Sequence, residues 1–325
     1  MPTDVASPAP LTGARQTMTS WAKVLRSYDE IPADYRGAVR PLVEGRPVFP
    51  YLVLAPTQGG TRHKVSEKLL CDVDDALYFV ERVGSRFTVT GFPWHTARDI
   101  EFGNALLYSW LTLSGLKTEG EPASATVAFN LATLRYFAPF IKKLRPLSAG
   151  ADLDSLRTEQ AKFDGLASTS FKFMNFAAES LVPGEKVQQM VWQPEIRQPA
   201  VSLLGFTLYR TVSLAHLTLL TDQELILIWD DEHSAQKTRA RYGGVWRYIP
   251  LRHLVSAALA ESPDGLLTLS LGLTSGGRVD RIFAAARRGE LDQLQHTIES
   301  LPAPLRNLSL GASHSIHNPP AYSQP

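Results

Sequence analysis

Apolar and polar positions along this chain change over in short runs, and the runs recur in one order. Asp74-Asp75 leads into Ala76-Leu77-Tyr78-Phe79-Val80-Glu81, and Thr221-Asp222-Gln223 leads into Glu224-Leu225-Ile226-Leu227-Ile228-Trp229. Both runs are short, bounded by polar turn formers and rich in β-branched and aromatic residues, which predicts buried strands. Residues 106–115 and 266–274 each predict a further strand closed by a turn-rich loop, and residues 126–129 and 279–283 predict shorter strands after them.

Each half then ends in a helical stripe. Leu131, Leu134, Phe137, Ile141 and Leu144 are spaced by three, three, four and three, and Leu291, Leu294, Ile298 and Leu301 by three, four and three. Such spacing puts each set on one face of a helix. Lys142, Lys143 and Arg145 fall in the last turn of the first helix, where positive charge suits the dipole, and Pro146 and Pro302 stop the two helices.

Strands followed by one amphipathic helix, encoded twice, predict two consecutive units, residues 46–146 and 183–302. Residues 21–45, with Trp21, Leu25, Tyr28, Ile31 and Tyr35, predict a short helical lead-in, and residues 147–182 a linker holding a helix. Residues 1–20 and 303–325 are expected to be disordered, because they carry too little apolar surface to offset their ordering entropy. The expected fold class is mainly β with helices: in each unit a small, partly open β-barrel whose end is plugged by its C-terminal helix.

The second half resembles the pleckstrin-homology-like (PH-like) domains of many bacterial proteins. Leu219-Leu220-Thr221-Asp222-Gln223-Glu224-Leu225-Ile226-Leu227 is similar to their strand entering a threonine-aspartate-x-glutamate-leucine turn. Tyr242-Gly243-Gly244-Val245-Trp246-Arg247-Tyr248-Ile249-Pro250-Leu251 is similar to their strand ending in isoleucine-proline-leucine. The first half joins the resemblance only through the repeat, and its loop 117–125 departs from the second copy. The resemblance implies tandem seven-strand bent barrels, each with a C-terminal helix. It also implies binding of lipid headgroups, peptides or other domains without catalysis; fold alone does not settle function.

Composition narrows the partners. The chain has 33 basic and 32 acidic side chains and a net charge of +1, so no global field attracts nucleic acid or an anionic membrane. A single cysteine excludes an internal disulfide and suits a reducing compartment. Met1 to Gly13 lacks the pattern of a secretory signal, and the apolar stretch 201–229 is broken by Arg210, His216, Asp222 and Glu224. A cytoplasmic protein is expected, with the inner membrane face as an alternative place of action.

Five places carry candidate chemistry. The segment 233–252 holds Lys237, Arg239, Arg241, Arg247 and Arg252 and no acidic residue. Arginine matches phosphate in a bidentate way, so this is a candidate anion or lipid site; a solvated loop is the competing explanation, since Asp230, Asp231 and Glu232 precede it. The aromatic set Phe171, Phe173, Met174 and Phe176 is a candidate partner surface, against ordinary packing onto the second unit. Gln58-Gly59-Gly60-Thr61-Arg62-His63-Lys64 lacks phosphate-loop spacing and reads as a loop. His95 with Asp99 and Glu101 suggests acid–base or metal work, but Ile100 and Phe102 alternate with the carboxylates as in a half-buried strand. His314 and His317 lie in the tail and Cys71 beside Leu69-Leu70, where a buried inert thiol is the default. No nucleophile elbow, His-Glu-x-x-His run or Cys-x-x-Cys pair occurs. The expectation is a non-enzymatic scaffold with no metal or cofactor, binding a protein partner or a second copy; a peripheral lipid binder and an enzyme with an inter-domain site are the alternatives.

Overall fold

The computed structural model of the chain describes residues 21–58, 65–145, 152–203, 206–231 and 243–301. The expected disordered ends, the loop 59–64 and the tail histidines lie outside the described residues. The architecture is mainly β, in several antiparallel sheets, with a C-terminal helix.

The first sheet is a meander of β1 (Lys23–Leu25), β2 (Tyr51–Ala55), β3 (Lys68–Val73), β4 (Ala76–Val83) and β5 (Arg86–Pro93). Helix α1 (Ala33–Val43) lies on one face, where Tyr35, Val39 and Val43 meet Leu52, Leu69, Cys71 and Val80. The lead-in 21–45 therefore supplies an edge strand as well as a helix. The other face, with Val53, Leu70, Leu77, Phe79 and Phe92, enters the largest core of the molecule.

A three-strand meander follows: β6 (Ala97–Ala105), β7 (Tyr108–Leu116) and β8 (Pro122–Asn130). The expected first helix is split. Residues Leu131–Tyr136 form a 3-10 turn, and α2 runs over Ala138–Leu144. Pro139 is the reason: it lacks an N–H and fits only the first turn of a helix, so the α-helix starts there. Phe140 consequently takes the inward position, fully buried, while Ile141 is only partly covered.

Residues 147–182 contain two helices rather than one, α3 (Leu153–Ala161) and α4 (Ala167–Ser180), the latter broken at Ser170, whose φ of −158° and ψ of 96° are not helical. The second half opens on a four-strand meander of β9 (Val187–Gln193), β12 (His216–Thr221), β13 (Glu224–Asp230) and β14 (Gly244–Pro250). β15 (Leu254–Glu261), β16 (Leu266–Leu273) and β17 (Arg278–Ala284) form a three-strand one, and α5 (Arg288–Ser300) closes it. Between β9 and β12 the chain makes a separate two-stranded hairpin, β10 (Ile196–Leu203) with β11 (Phe206–Ser213). The stripe on α5 faces inward: Leu291 and Leu294 are fully buried and Ile298 nearly so.

A partly open barrel is expected of each unit; no closed barrel is seen. The meander β6–β8 of the first half and the meander of the second join in one seven-stranded sheet, ordered β8-β7-β6-β14-β13-β12-β9. Strand β6 pairs with β14 from Asn104 opposite Gly244 to Ile100 opposite Tyr248. An open sheet edge must be satisfied by some backbone; here the edge of β6 that closure would satisfy is taken by the other half. This pairing makes β6 central, so both of its faces are covered, and Asp99 is as buried as Ile100. The half-buried alternation expected for 99–102 does not hold.

Core side chains divide accordingly. Leu217, Leu219, Ile226, Ile228, Trp246 and Tyr248 face α4 and the first half. On the opposite face Val191, Leu220, Leu225, Leu227 and Ile249 meet β15–β17 and α5. Helix α4 seats closely because Gly244 has no side chain: a Cβ there would stand 2.5 Å from the Phe176 ring.

Candidate interaction site

Pairing registers define two ends of the seven-stranded sheet. One end is marked by Gln193, His216, Trp229, Gly244, Asn104, Tyr108 and Asn130, the other by Val187, Thr221, Glu224, Pro250, Ala97 and Pro122. The two ends differ in chemistry.

The second end holds a buried charge cluster. The Arg145 guanidinium, just past α2, donates to Glu224 at 2.5 Å, to Glu185 at 3.3 Å and to the Ser180 carbonyl at 2.5 Å. It also lies 4.1 Å from the centre of the Tyr248 ring. Thr221, first residue of the turn motif noted in the sequence, donates to Glu185 and accepts from the backbone amides of Gln223 and Glu224. Arg145 comes from the first half, both carboxylates from the second. A second buried pin crosses the seam: Asp99 accepts from Arg98 at 2.8 Å and from Arg247 of β14 at 2.8 Å.

Burial, and next to it the Glu224 carboxylate, push the Glu185 carboxyl up to about 8. Burial pushes His216 and His253 down to about 4. Glu185 thus binds its proton more tightly when folded, and its contribution is lost as pH rises from the ordinary carboxylate range towards about 8. The two histidines bind theirs less tightly when folded, so their contribution is lost as pH falls from 6.5 towards about 4. Two imidazoles outweigh one carboxyl below 6.5, and above it only Glu185 acts. The thermal midpoint is therefore expected to peak near neutrality, and Glu185→Gln to flatten the alkaline side and steepen the acid side. A midpoint that climbs steadily from pH 6.5 to 8 contradicts this assignment.

The first end is apolar and exposed. The β6–β7 turn presents Leu106 and Leu107, 67% and 65% exposed. Leu106 has a φ of 58°, a left-handed conformation that suits glycine or asparagine and costs a bulky residue about 1 kcal/mol or more. Packing does not account for a leucine there. The β10–β11 hairpin leaves the same end and exposes Phe206, Leu208 and Tyr209. Phe171 is exposed nearby, since the adjacent Lys172 reaches Asp230, the last residue of β13. Half of the twelve exposed large apolar side chains found among the described residues lie at this end. An open depression of about 360 Å³ lies at the hairpin's base, between Ser170, Phe173, Trp192, Glu195 and Arg197.

The residues singled out in the sequence are dispersed by the fold. Of the aromatic set, Phe173 is buried against Trp192 at 4.4 Å, Phe176 packs on Trp246 at 4.5 Å and is partly buried, as is Met174; of the four, Phe171 alone is mostly exposed. Of the cations, Lys237, Arg239 and Arg241 lie outside the described residues. Arg247 is mid-strand on Asp99, and exposed Arg252 follows β14 at the end marked by Pro250. His95 is exposed and 3.9 Å from Asp75, while Glu101 accepts from the Trp110 indole. Burial pushes the Cys71 thiol up to about 12. Among the described residues no group of three or more His, Cys, Asp or Glu is arranged to hold a metal ion, and no helix is long and apolar enough to cross a membrane. The exposed hairpin and the leucine turn were not singled out in the sequence; Gly205 flanked by apolar residues was the available signal for the hairpin. No family model matches the chain, and a search of curated proteins finds no similar one.

Proposed function

We propose that the chain is a non-enzymatic interaction protein built from two PH-like units, docking through the end of the seven-stranded sheet that carries Leu106, Leu107 and the β10–β11 hairpin. The observation behind this is the concentration of exposed apolar side chains there, one of them in a backbone conformation that leucine disfavours. Clustered exposed apolar groups mark interaction sites, whereas scattered ones need no explanation. The PH-like reading rests on the order of elements: five strands, three strands and a helix in the first half, and four strands with an inserted hairpin, three strands and a helix in the second. The opposite end, filled by the Arg145 cluster and Arg252, offers no comparable apolar surface among the described residues.

The test is the behaviour of the tagged full chain in its native extract. A variant with Leu106, Leu107, Phe206 and Leu208 all changed to Ser is expected to keep its melting temperature, because all four side chains are exposed. It should move from an assembly or a sedimenting fraction to the position of a 35.8 kDa monomer. Identical behaviour of variant and native chain, or a native chain that runs as a free monomer, overturns the reading.

A further inference from the structure

We propose that Glu185 and Glu224 hold one proton between them at neutral pH, and that releasing it admits water to the seam between the two halves. Both carboxyl groups are 0% exposed and the Arg145 side chain that faces them is 6% exposed. With both acids ionised, two negative charges would meet one guanidinium in a place that water does not reach. Carboxylates confined to one site do not both ionise readily, and an unmatched buried charge costs far more than a neutral acid. One bound proton makes the cluster neutral. The hydrogen bonds show where it fits. Glu224 Oε1 accepts twice from Arg145, at 2.8 and 2.5 Å. Glu185 accepts from the Thr221 hydroxyl at 3.2 Å, from the Val182 amide at 2.8 Å and from Arg145 at 3.3 Å. Glu224 Oε2 is buried and has no donor among the described residues. Glu185 lies within hydrogen-bonding reach of Glu224. A proton shared by the two groups supplies the missing donor as a charge-assisted acid–carboxylate bond, and it belongs to the pair rather than to either residue.

The other groups around the pair do not replace the proton. Burial pushes the hydroxyl of Tyr248, on β14 beside Arg145, up to about 12, so it stays neutral. Thr221 of β12 and Val182 are uncharged donors, and Ser180 at the end of α4 presents a carbonyl that Arg145 already uses. Glu179 of α4 adds negative charge on the Tyr248 side, which opposes a second ionisation. Position makes the proton a latch. Arg145 ends the first half, Glu185 and Glu224 belong to the second, and Tyr248 pairs with Ile100 of β6. When a base in solution takes the proton, the excess negative charge is left without a partner, and only water can solvate it. That water enters where the halves meet.

Infrared spectroscopy of the full chain reads the proton directly, because a neutral carboxyl absorbs apart from carboxylates. A neutral-acid band is expected at pH 7, fading as pH passes about 8. Glu185→Gln and Glu224→Gln should each abolish it, since the one carboxylate that remains is matched by Arg145. The amide that Glu185→Gln introduces can donate to Glu224 Oε2 without a proton, so this variant is expected to fold. Relative to Glu185→Gln, the unfolding constant of the native chain should rise about fivefold between pH 7 and 8. A thiol reagent on Ser180→Cys reports the seam, because Ser180 is fully buried and Cys71 is buried elsewhere. Its labelling rate, divided by the rate in the Glu185→Gln background at the same pH, should rise about tenfold between pH 7 and 9. Absence of the band at pH 7 overturns the proposal, as does its survival in either Gln variant. A band that fades with no rise in relative labelling overturns it too. If Ser180→Cys does not fold, the unfolding constants decide, and a ratio to Glu185→Gln that ignores pH overturns the proposal.

Discussion

Replacing Arg145 by Met is expected to destabilise the protein by about 3–5 kcal/mol at neutral pH, because it strands two buried acidic side chains without their cation. Glu185 and Glu224 are almost wholly inaccessible to water, and one Glu224 oxygen already lacks a hydrogen-bond partner. Glu224 takes two contacts from the Arg145 guanidinium, at 2.5 and 2.8 Å, against one to Glu185 at 3.3 Å, and is the partner to neutralise. Adding Glu224→Gln to Arg145→Met should therefore restore part of the loss, giving a double variant less damaged than the sum of the singles. Chemical denaturation of the four proteins measures this. A loss below about 1 kcal/mol for Arg145→Met, the range of a solvent-exposed pair, is incompatible with a buried cluster. The location gives the result wider reach: Arg145 ends the first half and Glu224 opens β13 of the second, so the cluster acts across the seam.

Leu294→Ala is expected to cost about 2–5 kcal/mol, the range for deleting a buried leucine side chain that leaves a cavity. Leu294 is completely buried between α5 and the β15–β17 sheet, in a core shared with Leu220, Leu225 and Leu227 of the seven-stranded sheet. Because that sheet also contains β6–β8, the loss should lower one common unfolding transition seen by probes in either half. Loss of signal from the second half alone, with the first unaffected, contradicts a shared sheet. A polar control on the outer side of the same helix, Gln293→Ala, should change stability by no more than about 0.5 kcal/mol.

What could be read from the chain was what is encoded locally. The strand after Asp74-Asp75, the strand after Thr221-Asp222-Gln223 and the stripe on α5 each depend on neighbours within a few residues, and each forms as its spacing predicts. The break before α2 was also written locally, in Pro139, but the regular apolar spacing from Leu131 to Leu144 masks it. The joining of β6 to β14 is of another kind. Asp99 and Arg247 are 148 residues apart, and nothing near either one signals the other. A carboxylate beside Ile100 reads as a solvent-facing position until its two arginine partners are known.

The same limit governs the site. Clustering cations by sequence grouped Arg247 and Arg252 with the segment before them, yet a seven-residue strand carries the chain from one end of the sheet to the other between Gly244 and Pro250. The linker aromatics were legible as contact-forming, but which of them faces water depends on the kink at Ser170 and on the close seat beside Gly244. Helix α1 covers one face of the first sheet, whereas α4 lies within the largest core, on β12 and β13.

Amide hydrogen exchange of β6 and β14 bears most directly on the shared sheet. In two separate units both strands would be edges, with alternate amides open to water and exchanging through local fluctuations. In the continuous sheet they are central, and residues 100–104 and 244–248 should exchange only by global unfolding, as slowly as β13. Rapid exchange along either strand, with β13 still protected, would show that the two halves do not share a sheet.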